Sequence, residues 1–183
     1  METKKYKLTE ETIIVNGKTL YRIEALKDFS NVRKGDKGGF IEKEDNLSQS
    51  DNCWVYDNAM VYDNARVFGN AMVYGTARVY DDAMVYGKAK VRDNVIIYNN
   101  AIICGNAWVY GNAVICGNAW VNGNADVFGD AVIGDNAVIC GNAWVNGNTK
   151  VYGNAKVYGE AMVYGEADVC GNAEVCGDME VYD

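Results

Sequence analysis

The chain has 183 residues, a formal net charge of −8, and neither histidine nor proline. That length fits one domain with at most a small appendage, and the acidic balance argues against a nucleic-acid binder that works through a basic surface. Without histidine, most general-base and catalytic-zinc arrangements are unavailable.

In chain order, METKKYKLTE at the start has no apolar core of signal-peptide length, and no later segment approaches membrane-spanning length. A cytoplasmic protein without membrane contact is expected. TIIVNGKTLYRI at 12–23 reads as two strands around an Asn-Gly turn, a strong hairpin signal. KGDKGGF at 34–40 is a turn-rich connector, and 40–55 is a degenerate entry into a repeat, with DNL and DNC standing where DNA stands later. Residues 1–40 are therefore expected to form a hairpin cap over a first coil that otherwise exposes unpaired backbone.

From Val55 to Glu180 the chain divides into 21 consecutive hexads of the type VYGNAK, with no residue inserted or lost. A short fixed period is the signature of a solenoid, whose units bury their apolar faces only by stacking. Slot one is always Val or Ile, suited to a buried extended segment. Slot five is Ala in 18 hexads, the exceptions being Val95, Thr149 and Met179. Slots three and four are mostly Gly or Asp, then Asn, which tolerate left-handed backbone and make turns.

The pattern resembles the hexapeptide repeat of left-handed parallel β-helices, and IGDNAV at 133–138 matches its commonest form letter for letter. That resemblance covers 41–183. It implies an all-β, single-stranded, left-handed parallel β-helix: a triangular prism of about seven regular coils of 18 residues. Seven coils at ~4.8 Å give a rod of roughly 34 Å. The run LKDFSNVRKGDKGGFIEKEDNLSQSDNCWVYDNA (26–59) is similar to the start of YdcK-type β-helix proteins of bacteria and phages. Those carry a transferase label without an established activity.

Strand alternation turns slots two and six outward. Eleven of the thirteen tyrosines occupy slot two, and all four tryptophans occupy slot six. Residues 18 apart share a face, so one face collects Trp54, Tyr56, Tyr74, Trp108, Tyr110, Phe128, Trp144 and Tyr164, and a second carries Trp120. Large exposed apolar patches mark interfaces, whereas cross-strand aromatic ladders stabilise a stack unaided. Departures from the repeat (Arg92, Asn122, Asn146, Thr149, Met179) are further pointers. The two asparagines suggest a shallow dent beside Trp120 and Trp144, and Met179 a plug beneath the end of the rod. After Lys156 the side chains include Glu160, Glu166, Asp168, Glu174, Asp178 and Glu180 but no base. That acidic surface would block edge stacking or imitate nucleic acid.

The six cysteines form no CxxC pair, so neither zinc nor a disulfide is expected. By fold, the resemblance also extends to hexapeptide acyltransferases, which use a histidine base and a protruding loop, and to γ-type carbonic anhydrases, which hold zinc through three histidines. This chain has no histidine and no insertion within 55–183. The expectation is a protein with no catalytic residue, cofactor or metal. It would bind a protein partner, or itself as a dimer or trimer, through flat aromatic faces. The alternatives are a phage-type inhibitor of a host nucleic-acid enzyme or defence complex, and a degenerate acyltransferase.

Overall fold

The computed structural model describes residues 4–183. From Trp54–Val55 to Glu180–Tyr182, short strands recur every six residues, each built on a slot-six residue and the slot-one Val or Ile beside it. Partners lie 18 apart and run parallel: Trp54 with Met72, Met60 with Arg78, Arg66 with Met84. Three hexads thus close one coil, and three sheets result. The tryptophan face runs from Trp54–Val55 through Trp108–Val109 and Trp144–Val145 to Glu180–Tyr182. The cysteine face runs from Arg66–Val67 to Glu174–Val175, and the cap face from Met60–Val61 to Asp168–Val169. The protein is an all-β parallel solenoid of about eight coils, the seven regular ones and a leading coil formed by residues 40–55.

Burial explains the repeat. Slot-one side chains and the slot-five alanines fill the interior with essentially no exposure through most of the rod. At the coil-to-coil spacing, N–H groups of slots two, four and six donate to carbonyls seventeen residues on, as from Tyr56 to Val73 (2.7 Å) and from Asn58 to Gly75 (3.0 Å). All 21 slot-three residues have positive φ, whether glycine, an Asp such as Asp57 (53°) or Asn99 (56°). Slot four does not share that conformation. Its asparagines instead build amide ladders along the corners: Asn100, Asn118, Asn136 and Asn154 each pass an Nδ2–H to the next Oδ1 at 2.9–3.1 Å, the last of them to Asn172.

Two slot-five exceptions behave differently from each other. Thr149 is fully buried, and its Oγ1 has no hydrogen-bond partner. An orphaned buried hydroxyl costs about 1–3 kcal/mol, and Val95 shows that the slot accepts valine. Thr149→Val is therefore expected to raise unfolding stability by about 1 kcal/mol, read from urea titration. Met179 does not plug the rod. It is 52% exposed, because slot five here has no further coil packed against it.

The N-terminal hairpin forms as expected, with β1 (Tyr6–Val15) and β2 (Lys18–Ala25) joined through Asn16 (φ 50°) and Gly17 (φ 79°). β2 pairs antiparallel with β3 (Lys37–Ile41), which pairs parallel with Met60–Val61, so the hairpin extends the cap face as extra strands. Lys18 pairs with Asp63 beneath it.

Because each coil donates N–H groups forward, the leading coil presents carbonyls at its open side, and this region supplies donors to them. Lys5 Nζ reaches the carbonyls of Ser50 (3.1 Å) and Cys53 (2.9 Å), and the Tyr6 hydroxyl reaches that of Leu47 (2.6 Å). Arg22 donates to Gly38 and Asp57. Lys5 is deeply buried beside the Cys53 thiol (3.3 Å). Burial pulls the lysine pKa down and pushes the thiol up. The leading coil also departs from the repeat: Phe40 pairs with Met60 and Leu47 bridges Val67, each 20 residues apart. Leu47 therefore stands opposite a slot-one valine and not opposite an alanine. Asn46 bridges the mismatch, its Nδ2 donating to the carbonyls of Asp63 (3.1 Å) and Ala65 (2.8 Å).

Buried tyrosines set a pH limit. Burial raises the pKa of Tyr6, Tyr62 and Tyr74 above 10.0, and that of Tyr56 to about 12. Above pH 10 the unfolded chain releases phenolic protons that the folded chain retains, so stability falls as pH rises through the folded-state values. Urea midpoints should decline from about pH 10 upward, with tyrosinate absorbance appearing together with unfolding.

Candidate interaction surfaces

Slots two and six give each face two outward columns. On the tryptophan face the slot-two column stacks in three pairs, parted by Arg92 and Asn146: Tyr56 on Tyr74 (4.4 Å, 12°), Tyr110 on Phe128 (4.7 Å, 1°), Tyr164 on Tyr182 (5.1 Å, 15°). Arg92 takes the rung between Tyr74 and Tyr110, its guanidinium 4.7 Å from the Tyr110 ring centre. A planar cation replaces a ring there. On the cap face Tyr62, Tyr80 and Tyr98 stack likewise.

The tryptophans behave differently. Trp108, Trp120 and Trp144 are 41%, 44% and 48% exposed, and none is in a parallel ring stack. Lys90 Nζ lies 4.5 Å over Trp108, and Trp144 meets Phe128 only edge-on at 6.2 Å. Trp120 is on the cysteine face, where its indole N–H reaches Cys104 Sγ at 3.1 Å. The indole thus lies toward the small Cys104 side chain one coil before it. Beside Trp144 a cavity of about 250 Å³ exists, but Asn142, Glu160 and Met162 line it with Trp144, and Asn146 is not among its walls.

Trp54 is the main correction. Although it points outward from slot six, it is only 1% exposed. Tyr6 and Phe29 fold over it edge-on, with ring centres at 6.0 and 5.3 Å. The expected aromatic face had left the cap out of account. What stays uncovered begins one to two coils further on and includes Tyr74, Tyr110, Phe128, Tyr164 and the pair Trp108 and Trp144, which are two rungs apart.

One feature was missed from the sequence. Lys90 and Arg92 flank the inward Val91 and form a basic rung beneath Trp108 and Tyr110. Together with Tyr74, Asp57 and Asp93 they line a cavity of about 350 Å³. The signal was available, since K-V-R is the only hexad junction with a base in both outward slots. Both aspartates are already engaged, accepting from the Gly75 and Gly111 N–H groups at 3.0 and 3.1 Å. Nearby, burial raises the pKa of Asp126.

The acidic residues are exposed but divided among three faces and two corners. Asp168, Glu174 and Glu180 stand on the cap, cysteine and tryptophan faces, Glu160 and Asp178 share one corner, and Glu166 occupies another. Lys156 pairs with Glu174 (3.3 Å), and Lys150 is the strand partner of Asp168. The acids form a ring, partly compensated by bases.

All six cysteines are free thiols. Among the described residues, no three Cys, Asp or Glu side chains are grouped to hold a metal ion, and no helix is long and apolar enough to cross a membrane.

A family model described as YdcK beta solenoid repeat matches residues 77–93 and 103–117. No curated protein matches the chain. Both matched stretches lie within the regular coils, spanning Ala77 to the basic rung and then Ile103 to Gly117. The protein is a parallel β-solenoid with YdcK-like repeats.

Proposed function

We propose that the protein is a rigid, non-catalytic binding module, acting in the reducing cytoplasm, that docks a protein surface on its tryptophan face. The observation that carries this reading is the exposure of Trp108 and Trp144 on one flat sheet, outside the ring stacks that the fold uses. Tryptophan is enriched among residues that dominate binding energy, and a pre-ordered sheet loses little entropy on docking. Six unpaired cysteines suit a compartment that keeps thiols reduced. Nucleic-acid mimicry would need acids aligned along one side, and their spread around the rod does not supply that line. The test compares immobilised wild type, Trp108→Thr/Trp144→Thr, and a variant with Glu160, Glu166 and Asp178 neutralised, as baits in lysate over a salt series. The expected result is that the tryptophan variant alone loses captured protein, with weak salt dependence. Loss in the acidic variant with steep salt dependence would favour mimicry instead.

A further inference from the structure

Resting on that reading, we infer that the tryptophan face is self-complementary: it fits a second copy of the chain, antiparallel, about a two-fold axis lying along the strands midway between the Asp126 and Trp144 rungs. Six rungs of this face follow the Trp54 and Met72 rungs. Their slot-six residues, in axial order, are Lys90, Trp108, Asp126, Trp144, Met162 and Glu180, joined by an unbroken register of parallel pairs. A base begins the series and an acid stands at its sixth rung. A two-fold axis parallel to the strands reverses the rod and the face normal but not the strand direction, so slot six meets slot six.

In that register Lys90 faces Glu180 of the second copy, Trp108 faces its Met162, and Asp126 faces its Trp144. Each contact occurs twice by symmetry. The charges are available for it. Lys90 makes no ion pair among the described residues, resting only on Trp108, and Glu180 holds just the Tyr164 hydroxyl at 2.9 Å. Asp126, whose pKa burial already raises, would gain an indole N–H donor from Trp144. In slot two, Arg92 meets Tyr182, extending the cation-on-ring contact it already makes with Tyr110.

Two other packings of this face are worse. Parallel rods place each rung on itself with slot six over slot two, so Lys90 faces Arg92 of the copy, cation on cation. An antiparallel register that puts Lys90 opposite Asp126 drives the Trp54 rung against Met162. That rung is already covered by Phe29, so the cap blocks it. The favoured footprint is six rungs, roughly 24 Å between its outermost strands. It lies toward the small end of specific interfaces, so the dimer should dissociate on dilution.

The test is sedimentation equilibrium of wild type, Lys90→Glu, Glu180→Lys and the double reversal, with far-ultraviolet circular dichroism confirming that each is folded. All substituted side chains are at the surface. The expected result is a dimer that each single reversal weakens by roughly tenfold or more and that the double reversal restores to near wild-type affinity. A wild type that is monomeric at every concentration overturns the self-complementary face but leaves the docking of another protein standing, since bait capture reads that separately. A dimer indifferent to the single reversals, or unrestored by the double one, overturns the register.

Discussion

Gly39→Ala is expected to destabilise the protein by about 3–5 kcal/mol and, if the melt is cooperative, to lower its midpoint by roughly 10 °C. Gly39 sits in β3 where the cap meets the first coils. A Cβ added there falls inside contact distance of the Ala59 carbonyl oxygen and 2.7 Å from Val55 Cγ1. Neither neighbour can yield: Ala59 O accepts the Phe40 N–H (2.9 Å) that holds β3 to the solenoid, and Val55 is fully buried. Relief means moving β3 outward, which weakens the attachment of β2 and the hairpin with it. Gly17→Ala is the control. That glycine has nothing within 4 Å and differs only in its positive φ, so the substitution should cost about 1 kcal/mol. Similar losses for the two would mean that crowding at β3 is not what matters.

Asn46→Asp should cost about 3–5 kcal/mol although it replaces one amide nitrogen by oxygen. Asn46 is fully buried, and its amide does three things at once. Nδ2 donates to the Asp63 and Ala65 carbonyls, while Oδ1 accepts the Lys43 N–H at 2.9 Å. A carboxylate keeps the last contact and turns an oxygen toward both carbonyls. It either stays charged in a buried site of like dipoles or takes up a proton. Protonation would restore one donor, and burial beside two carbonyls raises the pKa of the introduced carboxyl, so the loss should shrink as pH falls from neutrality toward the ordinary carboxylate value of about 4 and level off below it. Chemical unfolding at pH 7 and pH 4 reads both effects. A variant as stable as wild type at neutral pH would remove Asn46 as the splice between the leading coil and the repeat.

The two predictions fall where the sequence was hard to read. Hexads from Val55 onward were fully legible, because one short period dictates inward valines, small alanines and left-handed slot-three corners, and pairing at 18 is the consequence. The Asn-Gly hairpin was equally plain. DNL and DNC were not, since they look like imperfect repeats. Two extra residues in the leading coil shift Leu47 opposite Val67, and only Asn46 reconciles the backbones. Trp54 was misplaced for a related reason: alternation says which way a side chain points, but not what folds over it. Phe29, far off in sequence and outside any strand, decides that. Lys5 and Tyr6 carried no signal at all, because their role comes from the direction in which coils donate hydrogen bonds. Among the outward residues, sequence could not separate a ring that supports its neighbours from one left free. The structure divides them, with tyrosines stacked within 15° of parallel and Trp108 and Trp144 outside the stacks.

That division can be tested through stability. Trp108→Thr/Trp144→Thr is compared with Tyr80→Thr, whose ring stacks on both Tyr62 and Tyr98, by denaturant unfolding of dilute protein. If the tryptophans are held for docking, the double variant should lose no more than about 1 kcal/mol, and the single tyrosine variant should lose at least as much. A double variant several kcal/mol less stable than wild type would contradict the account, making the tryptophans part of what holds the coils together.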